Sequence, residues 1–265
     1  MHTILKIPFD KCIVEKDRRG AALGPDAIEK ELKDFFQFEG LSKNIKFVEI
    51  EEKDDFEKLH KEVEAEATKA YAKSNLVMGL GGDHSVSYGL IKAFAKKFPK
   101  KSGLIYFDAH FDCQDDFLPP THEDILKAAV KKGFFKPENI FVIGVRNYTE
   151  KELGFVQKNK IKFMLVNDFS SKEITNFAKN YDDIYFNLDI DAIDPAFAPG
   201  TGWPEPLGLH PKDVLDIILQ LKDKIKLLDI VEVSPPKDVN NMTSRLAAKF
   251  LAEFLANKAG KAFVW

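Results

Sequence analysis

Along the chain, short, mostly apolar runs alternate with longer segments whose apolar positions recur every third or fourth residue. The strand-like runs are Ile4–Ile7, Lys46–Ile50, Leu76–Leu80, Gly103–Phe107, Ile140–Val145, Lys162–Val166, Ile184–Leu188 and Lys226–Val231. Several are almost wholly apolar, the pattern of strands buried on both faces of a parallel sheet. Helical periodicity marks Lys58–Ala72, where Leu59, Val63, Ala67 and Ala70 share a face. It returns over Val86–Phe98, Glu123–Lys132, Pro211–Leu221 and Met242–Asn257. Pro211 suits a first helical turn, where its missing N–H would have no partner anyway. The alternation predicts βα units: an α/β protein with helices on both faces of a mostly parallel sheet. No internal repeat, low-complexity tract or linker interrupts it, so residues 1–265 read as one domain.

Four of the apolar runs end in reactive residues, and in open α/β sheets ligands bind beyond the carboxyl ends of the strands. Leu76–Leu80 leads into Gly81-Gly82-Asp83-His84-Ser85, and Gly103–Phe107 into Asp108-Ala109-His110-Phe111-Asp112. Ile184–Leu188 leads into Asp189-Ile190-Asp191, and Lys226–Val231 into Glu232-Val233-Ser234-Pro235-Pro236. In an extended segment residues two apart point the same way, so Asp108, His110 and Asp112 are expected to converge, as are Asp189 and Asp191.

Charged groups at the ends of apolar strands are costly unless paired or bound to cations. The four aspartates, with His84 and His110, would repel one another without metal. Two divalent cations sharing carboxylates remove that repulsion and turn bound water into a nucleophile. A donor set rich in oxygen, with some imidazole and no thiolate, suits manganese or another hard-to-borderline divalent ion better than structural zinc. With two cations and a bridging hydroxide in place, Glu232 leaves the cavity net negative. A guanidinium complements that charge and offers Glu232 a planar set of donors.

Composition narrows the classes further. With 45% hydrophobic and 31% charged residues the chain reads as an ordinary soluble globular protein. A net charge of -3 gives no basic face for nucleic acid, and pairs such as Lys96-Lys97 and Lys100-Lys101 read as a solvated surface. Two cysteines, Cys12 and Cys113, make a disulfide scaffold implausible and a reducing compartment the natural assumption. Residues 1–10 lack the basic start and long apolar run of a signal peptide, and no apolar stretch is long enough to span a membrane. The expected location is the cytoplasm.

The reactive segments resemble those of the ureohydrolases, the family of arginase, agmatinase, guanidinobutyrase and formimidoylglutamase. The likeness lies in Gly81–Ser85, Asp108–Asp112, Asp189–Gly202 (DIDAIDPAFAPGTG) and Asp229–Asp238 (DIVEVSPPKD), in the family's order and across nearly the whole chain. Arg19–Ile28 (RGAALGPDAI) is similar to the family's early helix start. The resemblance implies a three-layer α/β/α fold of the arginase/deacetylase type, with a central, mostly parallel sheet of about eight strands. It also implies two Mn2+ per chain, other divalent ions being possible, and assembly into trimers or hexamers. Carried over by position, His84, Asp108, Asp112 and Asp189 bind one or both metals, and His110 and Asp191 complete the second. Asp112 also accepts a hydrogen bond from the bridging hydroxide, Glu232 holds the guanidinium, and His122 shuttles protons. The implied reaction is cleavage of a guanidino C–N bond by metal-bound hydroxide, releasing urea from a small cationic guanidino or amidine substrate.

The chain departs from the family pattern in three places. Glu123 and Asp124 follow His122 where glycine is usual, and these acids suit the start of a helix. Trp203 takes the place of a common threonine, and Leu207 replaces one glycine of a pair. Trp203 either packs its loop or forms a pocket wall that stacks on a cationic group. Other readings stand beside the functional ones: His122 as an exposed helix-start residue, Glu232 as a structural ion-pair partner, Asp83 as a helix cap, Cys113 as packing. The glycines Gly81 and Gly82 are expected to supply unusual backbone angles, and Asp194-Pro195 and Pro199-Gly200 to shape a loop.

Substrate choice within the family is read from the loop after the second motif. Asp115 and Asp116 there would repel an α-carboxylate and favour an amine or an uncharged tail, so agmatine or another decarboxylated guanidino compound is expected over arginine. The alternatives are a formimidoylglutamase-like or other amidine or amide hydrolase, and a non-catalytic protein of the same fold. The presence of all six metal-binding positions argues against the last. A dehydrogenase reading fails because no Gly-x-Gly-x-x-Gly follows a strand with an acid about twenty residues on.

Overall fold

The computed structural model of the protein describes residues 2–35, 40, 42–51, 55–74 and 76–260. Each apolar run is a strand: β1 His2–Ile7, β2 Ile45–Glu49, β3 Val77–Gly81, β4 Ser102–Phe107, β5 Ile140–Val145, β6 Lys162–Leu165, β7 Asp183–Asp189 and β8 Ile225–Val231. All pair in parallel in one sheet of order β2-β1-β3-β8-β7-β4-β5-β6. The expected parallel sheet is therefore present without an antiparallel member.

Among the described residues there are eight α-helices: α1 Gly24–Lys33, α2 Phe56–Tyr71, α3 Ser87–Lys97, α4 Ile125–Lys131, α5 Glu150–Asn159, α6 Ser171–Ala178, α7 Pro211–Leu221 and α8 Met242–Lys258. Five of them match the helical periodicity, and Pro211 opens α7 as expected. Helices α5 and α6, of ten and eight residues, are not among those expected, although α6 buries an apolar face of Ile174, Phe177 and Ala178. What fixes α5 is its start, where Thr149 and Glu152 form a reciprocal capping box. Ser170 caps α6 in the same way on one side.

The two faces of the sheet carry separate cores. Ile105 and Phe107 of β4 pack with side chains from α1, α6, α7 and α8. Leu104 and Tyr106, pointing the other way, pack with α2, α3, α4 and α5. Side-chain alternation along each strand thus feeds both layers, which gives the α/β/α sandwich. Among the described residues no helix is long and apolar enough to cross a membrane.

The four strands that end in reactive residues, β3, β8, β7 and β4, are consecutive in the sheet. Their carboxyl ends therefore lie side by side. The Gly81-Gly82 turn after β3 is tight for a reason other than the one expected. Neither glycine has a positive φ; instead a Cβ on Gly82 would lie 1.7 Å from the Phe9 carbonyl oxygen. That closeness lets Gly82 N–H bond Ile7 O at 2.9 Å and Asp83 N–H bond Phe9 O at 2.7 Å, setting where His84 begins.

Candidate metal centre and cavity

The six expected metal-binding side chains do converge, but not by extended alternation. After β4 and β7 the chain turns because each terminal aspartate captures a backbone N–H two residues on. Asp108 Oδ1 accepts from His110 N–H at 2.7 Å, and Asp189 Oδ1 from Asp191 N–H at 2.8 Å. Asp191 in turn accepts from Ala109 N–H at 3.1 Å, tying the two turns together. Asp112 reaches the cluster from a left-handed backbone (φ 49°), and Glu232 sits at φ 63°. Such conformations are unfavourable for side-chain-bearing residues and concentrate at functional positions.

Two donor groups result. His84, Asp108 and Asp189 form one, and Asp108, His110 and Asp191 the other, with ligand atoms in each all within 4.8 Å of one another. His84 Nδ1 lies 3.2 Å from Asp108 Oδ2, 3.0 Å from Asp112 Oδ2 and 3.1 Å from Asp189 Oδ2. His110 Nδ1 lies 3.3 Å from Asp108 Oδ1 and 3.1 Å from Asp191 Oδ2. Asp108 belongs to both groups and its buried Oδ2 has no hydrogen-bond partner.

The electrostatics of the cluster fit cations. Burial, then the charges of Asp112 and Asp191, push the Asp108 carboxyl up to about 6. Burial and the neighbouring Asp191 and Asp108 raise Asp189 well above the carboxylate range. Burial opposes a charged His84, but hydrogen bonds to Asp108, Asp112 and Asp189 more than offset it and raise the imidazole well above its ordinary value. Asp112 and Asp191 are likewise buried, yet His84 and His110 respectively hold them below the usual range.

A second ring of side chains, invisible in the sequence reading, orients these donors. His84 Nε2 lies 2.9 Å from Asn187 Oδ1. Asn187 Nδ2 donates to Asp229 Oδ1 at 3.0 Å and to Ser87 Oγ at 3.3 Å, which fixes its carbonyl toward His84. Nε2 must then be the donor, and a neutral His84 presents a bare Nδ1 lone pair to three carboxylate oxygens. That arrangement is stable only with a cation or proton between them, and the donor chemistry fits a divalent metal. Tyr106 stacks on His84 at 4.9 Å and donates to Asp112 Oδ2 at 2.6 Å. Glu205 Oε1 stands 3.7 Å from His110 Nε2. Asn187 and Asp229 are polar residues inside otherwise apolar strands, a signal the sequence did carry; Tyr106 looks like any core aromatic.

A cavity of about 240 Å³ opens above the cluster, lined by His84, His110, Asp112, Asp189 and Asp191 at its floor and by Glu232, His122 and Trp203 on its walls. Glu232 is buried, with Oε1 accepting from His84 N–H at 2.8 Å and Oε2 unpartnered. Its carboxyl is raised well above the usual range by burial and by Asp189 and Asp83. The ion-pair reading of Glu232 is thereby replaced: its free oxygen belongs to the cavity. His122 lines the cavity with Nδ1 unpartnered, and burial lowers its pKa to about 4. It is not the exposed helix-start residue of the bland reading.

Trp203 combines both of its expected roles. It lines the cavity and its ring centroid lies 5.3 Å from that of His122. The cation over its ring is the protein's own Arg18, 5.1 Å from the centroid and bonded to Gly202 O at 2.9 Å.

Other expectations need correction or refinement. Asp115 and Asp116 do not line the cavity; they pair with Lys151 and with Lys131 and Lys127, so they say nothing about a substrate carboxylate. Asp124 occupies the cap position of α4 without capping it; its carboxylate instead accepts from Phe117 N–H and Thr121 N–H, drawing the loop together. Glu123 faces the cavity. Asp83 does cap, accepting from Ser85 N–H at 3.1 Å, and also receives Cys12 N–H. Cys113 is packed in the core. Leu207 takes a left-handed φ of 61° where the family's glycine would be unstrained.

Comparison with known proteins follows the same lines. The model of the "Arginase family" matches residues 2–256. Agmatinase of Escherichia coli O1:K1 / APEC is 34% identical over 211 residues, covering 78% of this chain and 68% of that protein. The crystal structure of agmatine ureohydrolase of Thermoplasma volcanium superposes with a TM-score of 0.88 at 30% identity, covering 97% of this chain and 89% of the other. Arginase from Bacillus subtilis shares the fold at 23% identity, with a TM-score of 0.85 over 96% of this chain and 98% of its own.

Proposed function

We propose, for a chain that belongs to the arginase family, that it is a binuclear manganese hydrolase acting on a decarboxylated guanidino compound, agmatinase-like rather than arginase-like. Membership makes it a hydrolase of linear C–N amidine bonds; the metal, the guanidino group and the tail are the proposal. The observation that carries it is the sharing of Asp108 between two adjacent donor groups at the floor of a cavity into which Glu232 Oε2 projects unpartnered.

In this reading His84, Asp108, Asp112 and Asp189 hold one or both cations, and His110 and Asp191 complete the second. Two divalent cations held by these residues would neutralise the carboxylates and would supply an activated water. Glu232 accepts hydrogen bonds from the guanidinium and aligns its central carbon over the metal cluster, a charge-assisted contact strengthened by burial. Asp112 accepts a hydrogen bond from the attacking water. His122, neutral near pH 7 because burial depresses its basicity, would accept a proton from the water side at one ring nitrogen while the other nitrogen gives one to the departing amine. Addition of water and loss of that amine leave urea.

The test is urea release by manganese-loaded protein across agmatine, arginine, 4-guanidinobutyrate, guanidine and formimidoylglutamate, the last followed by its own product. Turnover of agmatine well above the others supports the reading. Turnover of formimidoylglutamate alone replaces it with the neighbouring amidine chemistry, and silence with two metals bound removes the guanidino substrate.

A further inference from the structure

The cavity wall is unusual in what it leaves free. None of the residues lining it is a lysine or arginine. Of the neutral donors on its wall, Gln114, Asn147 and Thr149 are already used, which leaves the Tyr148 hydroxyl and the Trp203 indole N–H. Gln114 Nε2 donates to Glu152 Oε2 at 3.0 Å, Thr149 Oγ1 to the same oxygen at 3.0 Å, and Asn147 Nδ2 to Glu205 Oε1 at 2.7 Å. Glu152 is thus occupied too, by those two donors, by Thr149 N–H and by Cys113 N–H. Two carboxylates on the same wall have no hydrogen-bond or ion-pair partner among the described residues: Glu15, from the loop after β1, and Glu123, beside His122.

Neither Lys16, next to Glu15 in the chain, nor Arg18 lines the cavity, and Arg18 lies on Trp203 and on Gly202 O. Burial and the neighbouring Glu15 raise the Glu123 carboxyl, so the two acids repel each other across a space that holds no compensating charge. Charged acceptors are in excess at the mouth, and no cationic side chain faces them. A carboxylate tail entering here would meet two like charges, whereas a cationic tail would relieve their repulsion.

We infer that Glu15 and Glu123 form a tail subsite that selects a guanidino substrate ending in a primary ammonium and rejects one ending in a carboxylate. This rests on the guanidino-hydrolase reading for its catalytic consequence, but the subsite itself is a binding statement. The substrate spans the cavity: guanidinium at Glu232, methylenes along Trp203, ammonium between Glu15 and Glu123.

The experiment compares manganese-loaded wild type with Glu15→Gln, Glu123→Gln and the double variant on agmatine, butylguanidine and 4-guanidinobutyrate. Each single change is expected to lower kcat/KM for agmatine about threefold to tenfold more than for butylguanidine, chiefly through KM. The preference for agmatine should shrink with added salt, because the subsite lies at the solvent-exposed mouth. The double variant should narrow the gap between agmatine and 4-guanidinobutyrate. Equal losses on all three substrates overturn the subsite, as does a wild type that prefers the carboxylate tail. Calorimetric binding of 1,4-diaminobutane to the protein without added metal separates the two readings. If no guanidino compound turns over but the diamine binds, and binds less tightly to the double variant, the subsite stands and the hydrolase reading falls. Diamine binding that is absent, or indifferent to both substitutions, overturns the subsite whatever the panel shows.

Discussion

His84 Nε2 and Asn187 Oδ1 lie 2.9 Å apart, and Asn187 cannot turn its amide around because Asp229 and Ser87 hold its nitrogen. One buried amide on β7 therefore decides which imidazole nitrogen faces the carboxylates. Replacing Asn187 by Leu frees the ring to rotate or to change tautomer. Manganese affinity, measured by competition with a chelator, should fall about 10- to 100-fold. Unchanged affinity would mean that stacking on Tyr106 alone holds His84.

His110→Ala removes a donor from the group that contains Asp191. The variant should bind one metal ion fewer per chain and lose activity by about 100-fold or more while keeping its far-ultraviolet circular dichroism. Elemental analysis beside a rate assay reads both. Near-normal turnover would remove His110 from the metal site.

Glu232→Gln keeps shape and removes charge. Turnover of a guanidino substrate should drop about 10- to 100-fold in kcat/KM, the range of one charge-assisted hydrogen bond, with metal content unchanged. Loss of metal from this variant would move Glu232 from the substrate to the ligand set.

Gly82→Ala should destabilise the protein by about 1–3 kcal/mol, since the new methyl cannot coexist with the Phe9 carbonyl where it stands. Because the same turn carries His84, metal affinity should fall together with the melting temperature. An unshifted melting curve would show that the Phe9 loop gives way freely.

His60 provides a pH signature from a histidine outside the donor groups, though it touches the backbone next to His84. Burial lowers its pKa to about 4, with Lys92 adding to the depression and a hydrogen bond to the Ser85 backbone opposing it. A base depressed in the folded state binds more protons when unfolded, so its contribution is present above about 6.5 and is lost as pH falls toward 4. The loss should amount to about 1–3 kcal/mol, and His60→Gln should flatten that part of the acid limb in denaturant titrations. An identical acid limb in the variant would assign the pH dependence elsewhere.

The sequence made the sheet legible because a strand buried on both faces must be apolar almost throughout, and β3 to β5 and β7 obey that rule. The reactive residues were legible for the complementary reason that charge at such a strand end has no cheap explanation. Less could be read where geometry depends on turns. Asp108, His110 and Asp112 were expected together on grounds of extended alternation, yet they meet because aspartate side chains bend the chain and Asp112 adopts a left-handed backbone. Asp115 and Asp116 misled because their lysine partners are distant in sequence, whereas Glu15 and Glu123 gave no local sign that they share a wall. Tyr106 could not be told from its core neighbours until its hydroxyl was placed on Asp112.

Strand β8 is the last strand in the chain order, yet it lies between β3 and β7. Until it is made, the strands can pair only as two half-sheets, β2-β1-β3 and β7-β4-β5-β6, with no strand pairing between them. The group of Asp108, His110 and Asp191 belongs wholly to the second half, but His84 belongs to the first. The donor group of Asp108, His110 and Asp191 can thus form within one half, whereas the group at His84 needs both halves brought together. A cation held at His84, Asp108 and Asp189 would act as a rivet across the join made by the final strand, which itself delivers Glu232.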